Sequence, residues 1–240
     1  MTVSRTGSWG ERASSLYDNQ YAKRYRAHDD EYVGGEVSRY LTDWIREVSE
    51  RCTPPIDVLD LGCGTGRYFW ALRGVRTLVG IDASAAMLAE ARRPVNADAV
   101  SAATVTLVQG DLMTHGFDER QFDLVYSIGV LAEHVPLDAS MVSRIARWLK
   151  PGGRFAFTTV HPESPTIPRT WRRRLGTLLA PVAPGPLGER LRARLLAGGR
   201  YADEARVSAL LAPAFEIESL IRFQSEAHLH CRCLARRRAA

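Results

Sequence analysis

"VLDLGCGTGRY", residues Val58 to Tyr68, follows an apolar run with an acid and three alternating glycines. A hydrophobic strand running into glycines reads as a strand-to-helix turn at which something approaches the backbone too closely for side chains. In an open parallel sheet, ligands bind beyond the carboxyl ends of the strands, and the first such turn is the usual place. Glycine spacing narrows the choice. The dinucleotide fingerprint needs Gly or Ala three positions after its second glycine, and here that position, after Gly64, is Arg67. A phosphate loop would need Gly-Lys-Ser/Thr next, and the chain has none there. Both readings are disfavoured, with an NAD-binding oxidoreductase kept as the third.

Outward from this turn the chain alternates. Short apolar runs, "IDVLDL", "RTLVGID", "ATVTLVQ", "FDLVYSI" and "GRFAFTTV", are each followed by a helical or polar stretch. "SAAMLAEARR" reads as a helix capped by Ser84, and "DASMVSRIARWL" as another, ended by "KPGG". Val37, Tyr40, Leu41, Trp44, Ile45 and Val48 fall on one helical face ahead of the turn. A further helix, "YADEARVSALLA", precedes two strand-like runs, "FEIESLIRF" and "AHLHCRCLA", which read as a closing pair at the sheet edge. The rhythm predicts an α/β fold: a doubly wound, mainly parallel, seven-stranded sheet with helices on both faces. Four regions follow: an N-terminal helical lid over 1–50, a core over 51–160, a basic Pro/Arg-rich cap over 161–200, and closing elements over 201–240.

Composition bounds the class. The chain has 240 residues, 45% hydrophobic and 25% charged, the balance of an ordinary soluble protein. The net charge of +5 resides in one segment, because residues 161–200 carry eight arginines against two glutamates. That placement argues against a nucleic-acid surface. Scattered cysteines at 52, 63, 231 and 233, and an N-terminus without an apolar signal core, predict a reduced, cytoplasmic protein.

"DLGCGTG" resembles the first motif of the class I S-adenosylmethionine-dependent methyltransferases, small-molecule type, and the resemblance runs in order from about residue 17 to 160. "LVGIDAS", "VQGDLM", "FDLVYSIGV" and "LKPGGRFAFTTV" match its later motifs. It implies S-adenosylmethionine as cofactor, with Gly62, Gly64 and Gly66 admitting the methionine portion and sugar, and Asp60 facing the cationic methionine end. It implies Asp82 on the ribose hydroxyls, Asp111 on the adenine amine and Leu112 against the ring, with further contacts from Cys63, Ala83, Met87 and Ser127. Tyr17, Tyr21 and Tyr25, spaced four apart in "YDNQYAKRY", match a Tyr-rich helix that closes over the cofactor.

Methyl transfer from a sulfonium needs alignment and one proton acceptor. His134 in "GVLAEHVP", His161 past the fifth strand and Tyr21 are the candidates, although Ala132 lengthens the loop by one residue and blurs the alignment of Glu133 and His134. In "HLHCRC", alternation sends His228, His230 and Arg232 one way and Leu229, Cys231 and Cys233 the other, which reads as an edge strand and no metal site. "SIGV" after the fourth strand replaces the Asn/Asp-Pro-Pro-aromatic motif of base methyltransferases, so no nucleic-acid partner is expected. The expected acceptor is an anionic or lipophilic small molecule gripped by the cap, where Arg169, Arg172, Arg173 and Arg174 surround Trp171 and Leu187, Leu191 and Leu195 form a stripe. Peripheral membrane contact is the other use of that segment. The alternative function is a same-fold cofactor-binding protein acting as cyclase or scaffold.

Overall fold

The computed structural model describes residues 16–165, 167, 201–225 and 227–239. Most of the expected basic cap, with Arg169, Trp171, Arg172, Arg173, Arg174, Leu187, Leu191 and Leu195, lies outside the described residues. Helix α1 (Asn19–Tyr32) starts behind Asp18, whose carboxylate accepts the Tyr21 N–H at 2.8 Å. Tyr17 therefore precedes the helix, and the expectation of three tyrosines on one helix is corrected to two. Helix α2 (Glu36–Glu50) buries Leu41, Trp44, Ile45 and Val48. These pack with Val58, Leu78 and Leu124 of the central strands, so α2 belongs to the core, while its Val37 and Leu41 join α1 in lining the site.

The sheet follows the sequence reading closely. Strands β1 (Ile56–Leu61), β2 (Val75–Asp82), β3 (Thr104–Gln109), β4 (Phe122–Ser127) and β5 (Leu149–Val160) pair in parallel, in the order β3-β2-β1-β4-β5. All six residues of β1 are buried, as a central strand with helices on both faces requires. Helix α3 (Ala85–Ala91) is capped by Ser84, whose hydroxyl accepts the Met87 N–H at 3.2 Å. Helix α4 (Ala139–Trp148) runs directly into β5, so Lys150–Gly153 lies in the strand, with the register shifted between Phe122 and Leu124.

Helix α5 (Glu204–Leu211) leads to β6 (Phe215–Gln224) and β7 (Leu229–Arg237), which complete the sheet as β5-β7-β6. β7 is antiparallel to both neighbours, so the edge-strand reading of "HLHCRC" is corrected: β6 is the edge. The burial agrees, since Cys231, Cys233, Leu234 and Ala235 are covered while Glu216, Ile221 and Arg222 on β6 are exposed. The apolar residues form two clusters, one around α2, α3 and β1, the other around α4, α5 and the Phe155, Phe157 and Phe215 rings. They are the two covered faces of a doubly wound sheet. Since the chain leaves β1 toward β2 and β3 and returns to β4, the crevice between β1 and β4 is the switch point. Among the described residues no helix is long and apolar enough to cross a membrane.

Candidate active site

A cavity of about 860 Å³ opens at that crevice. The glycine turn forms its floor, held by the Gly62 and Cys63 N–H groups, which both donate to the Ile81 carbonyl at 2.8 and 3.0 Å. The three glycines divide by task. A Cβ at Gly62 would stand 2.6 Å from Val130, and one at Gly66 would stand 2.7 Å from the Phe69 ring, so both make room for the protein's own packing. Gly64, at φ +54°, faces the cavity, and the nearest atom to a Cβ there is Met87 Cε at 3.4 Å. Gly62 and Gly64 line the cavity, and Gly66 does not.

Three carboxylates stand at successive strand ends around this floor. Asp60, closing β1, is 4% exposed, and burial pushes its carboxyl up to about 8. Asp82, closing β2, accepts the Gly64 N–H at 3.0 Å on one oxygen and the Ser84 N–H at 2.8 Å on the other. It thus ties the glycine turn to the α3 cap; burial raises its carboxyl too. Each carboxylate oxygen retains a further acceptor site for a hydroxyl. Asp111 follows β3 and lines the cavity with Leu112, its side chain accepting the Met113 N–H at 2.9 Å. Cys63, Ala83 and Met87 line the cavity as well. Ser127 does not: it is buried, and its hydroxyl donates to the Leu61 carbonyl at 2.9 Å.

Glu133 and His134 project into the cavity from a tight turn after β4. Ala132 sits there in the left-handed region at φ +61°, its N–H donating to the Val135 carbonyl, while the His134 and Val135 N–H groups donate to Val130 at 2.8 and 3.1 Å. The extra residue read from the sequence is this strained corner, a feature that clusters at active sites. Burial lifts the Glu133 carboxyl to about 7. The Tyr17 hydroxyl lies 3.4 Å from His134 Nε2, and the Glu133 carboxylate 3.7 Å from the same nitrogen. Tyr21 packs edge-on against Tyr17 and stacks with Tyr25, and all three tyrosines line the cavity.

His161 is not in the lining. It is buried, its Nδ1 accepts the Glu163 N–H at 3.1 Å, and its Nε2 faces Glu204 at 3.3 Å, away from any reacting centre in the cavity. The strand simply ends before this histidine reaches the pocket side. His161, Glu204 and Cys231 bring potential metal donors within 4.8 Å of one another. Glu204 is already paired through both oxygens with Arg222, while His161 Nε2 is buried and makes no hydrogen bond among the described residues.

Two features escaped the sequence reading. Asp29 of α1, its side chain fully buried, accepts the Thr65 hydroxyl and pairs with Arg67, both of the glycine turn. The Arg67 guanidinium also lies 4.7 Å over the Tyr25 ring. A carboxylate facing inward from an otherwise polar helix leaves no periodic mark. The second is the part of the lining formed by Phe223, Ser225, His228 and His230 around the β6–β7 turn. The alternation of "HLHC" did place both histidines on one face.

Residues 58–153 match the family described as a methyltransferase domain. Malonyl-[acyl-carrier protein] O-methyltransferase of Enterobacter lignolyticus (strain SCF1) is 37% identical over 118 residues, which cover 48% of this chain and 43% of that protein. The chain thus spans about half the length of the curated relatives it matches. Magnesium protoporphyrin IX methyltransferase of Synechocystis PCC 6803, crystallised with S-adenosylhomocysteine, superposes with a TM-score of 0.61 at 17% identity, covering 96% of this chain and 100% of that one. The [4+2]-cyclase SpnF does so at 0.67 and 16% identity, covering 96% and 97%. These likenesses show a shared fold.

Proposed function

We propose, from the premise that residues 58–153 belong to the class I S-adenosylmethionine-dependent methyltransferases, that the chain binds S-adenosylmethionine and moves its methyl group to a small-molecule acceptor. The observation that supports this most is the set of Asp60, Asp82 and Asp111 at three successive strand ends, facing one cavity over the glycine turn. The residues fit the cofactor. Gly64 leaves open the space a Cβ would fill, and a buried acid such as Asp60 suits an ammonium, which would restore its charge. Asp82 would hold the ribose hydroxyls, Asp111 the adenine amine and Leu112 the ring. When bound, the cofactor supplies a methyl group already activated on sulfur.

The chain's own part is to orient the acceptor and hold a proton. Glu133 sits near neutrality at the cavity surface, in the range a general base needs, with His134 and Tyr17 beside it. Tyr21 bounds the space through which an acceptor reaches them. A proton acceptor over the cavity favours transfer over a same-fold cyclase or scaffold, which needs no base at that point. The malonyl-carrier relative is an O-methyltransferase by name, and oxygen is the acceptor atom a carboxylate base suits best. The test incubates the purified chain with methyl-labelled S-adenosylmethionine and a metabolite extract. Mass spectrometry should find an acceptor heavier by one methylene together with S-adenosylhomocysteine. Cofactor bound but never consumed with any acceptor would favour the cyclase or scaffold reading.

A further inference from the structure

The cavity extends well past the three acids, toward a wall that the glycine turn does not touch. Phe223 and His230 stand directly opposite each other across the β6–β7 ladder, so their side chains share one face. Their rings are stacked, centroids 5.0 Å apart and planes 15° from parallel. Tyr40 leans on Phe223 at 5.2 Å and His228 meets His230 edge-on at 5.6 Å, making a row of four rings. The row is built, not incidental. Ser225 binds His230 Nε2 at 3.0 Å through its hydroxyl, accepts the His228 N–H at 3.1 Å on the same oxygen, and donates its own N–H to the His228 carbonyl at 2.8 Å. Burial, with His228 beside it, holds the His230 imidazole down to about 4, so the ring is uncharged at neutral pH.

The rest of the lobe limits what can lie on that wall. Val37, Leu41 and Val130 add apolar surface, and Arg24 of α1 lines the exposed rim. Glu133 lines the same cavity as these rings. Arg24 at the rim disfavours a cationic acceptor, and a row of uncharged rings with apolar neighbours suits an uncharged aromatic ring.

We propose that the acceptor is a planar aromatic compound bearing a hydroxyl, packed along the Phe223 and His230 wall with that hydroxyl toward Glu133 and His134. This rests on the methyltransferase reading above. The balance is complete without another reactant. The hydroxyl proton passes to the Glu133 carboxylate, and a lone pair of the acceptor oxygen forms the new bond to the methyl carbon. The pair of the broken carbon–sulfur bond stays on sulfur as a neutral thioether.

The test uses the full chain saturated with S-adenosylhomocysteine, whose binding is measured first. A panel of phenols from catechol to 1,3-dihydroxynaphthalene is titrated calorimetrically into that complex, beside trans-1,2-cyclohexanediol as the saturated match to catechol. The same compounds are then offered with labelled S-adenosylmethionine. At least one phenol should bind and be labelled on oxygen, and the saturated diol should do neither. Phe223→Leu keeps apolar volume without a ring and should weaken that phenol's binding at least tenfold, with S-adenosylhomocysteine affinity unchanged within twofold. Phe223→Tyr should retain the binding. The proposal is overturned if no phenol binds a complex that holds S-adenosylhomocysteine, if the diol is labelled as well as catechol, or if Phe223→Leu binds phenol normally. Failure of S-adenosylhomocysteine itself to bind is the separate outcome that removes the methyltransferase reading as well.

Discussion

Burial pushes the Asp60 carboxyl up to about 8, and a cation beside it would favour the ionised form. Its folded value of about 8 stands above the ordinary 3.8, so the stability it contributes is present in acid and is lost as pH rises between those values. Asp60→Asn removes that loss. The variant should melt with wild type below about pH 4 and increasingly above it as pH rises to 8.5, by several degrees at the end of that range. It should also bind S-adenosylhomocysteine at least tenfold more weakly. Identical melting at pH 8.5 would mean that Asp60 is ionised without its ligand. Asp82 differs, because its oxygens already hold the Gly64 and Ser84 N–H groups. The sequence alone suggests a residue that faces ligand and leaves folding alone; the structure adds a structural task. Asp82→Ala should therefore lower cofactor affinity by about 1.5–3 kcal/mol in calorimetry and lower the melting temperature too. An unchanged affinity would displace the ribose from this carboxylate.

Helix α1 and the residues just before it are tied to the cavity floor and the α3 cap at two points. Asp29 grips Thr65 and Arg67, and the Ser84 hydroxyl donates to the Tyr17 carbonyl at 2.6 Å. Cutting the first tie leaves Arg67 without its buried partner, a loss of about 3–5 kcal/mol for a pair of this kind. Asp29→Ala should speed hydrogen exchange over residues 19–32 and weaken S-adenosylhomocysteine binding, although Asp29 is not in the cavity lining. In wild type the same exchange should slow when S-adenosylhomocysteine is added. Faster exchange with unaltered affinity would make the tie purely structural. This helix also shows where sequence reading stops. The strands were legible because apolar runs ending in turns leave a local period, and "IDVLDL" coincides with β1 residue for residue. The acids at their ends were legible because a strand end at a switch point is itself a location. Asp29, the Asp82 ties and the diversion of His161 toward Glu204 depend on contacts between distant segments, which no period records. Ser127 was misplaced for the same reason, its hydroxyl being used by Leu61 across the β1–β4 pair.

Across the whole molecule one cavity is lined by the ends of β1 and β2, by Asp111 after β3, by α1, by Glu133 and by the β6–β7 turn. If Glu133 takes the proton, it must be ionised, and kcat/KM should rise as pH passes through about 7. Glu133→Gln should remove that rise and lower kcat by about 10²-fold or more, leaving cofactor affinity in place. A profile with the same limb in the variant would assign the proton to His134 instead. Everything rests on what the cavity over Gly64 holds. The most direct measurement is a calorimetric titration of the full chain with S-adenosylhomocysteine, and in parallel with NADH. One site of micromolar or tighter affinity for S-adenosylhomocysteine, with no comparable heat from NADH, is the predicted result; binding of NADH without S-adenosylhomocysteine would contradict the account.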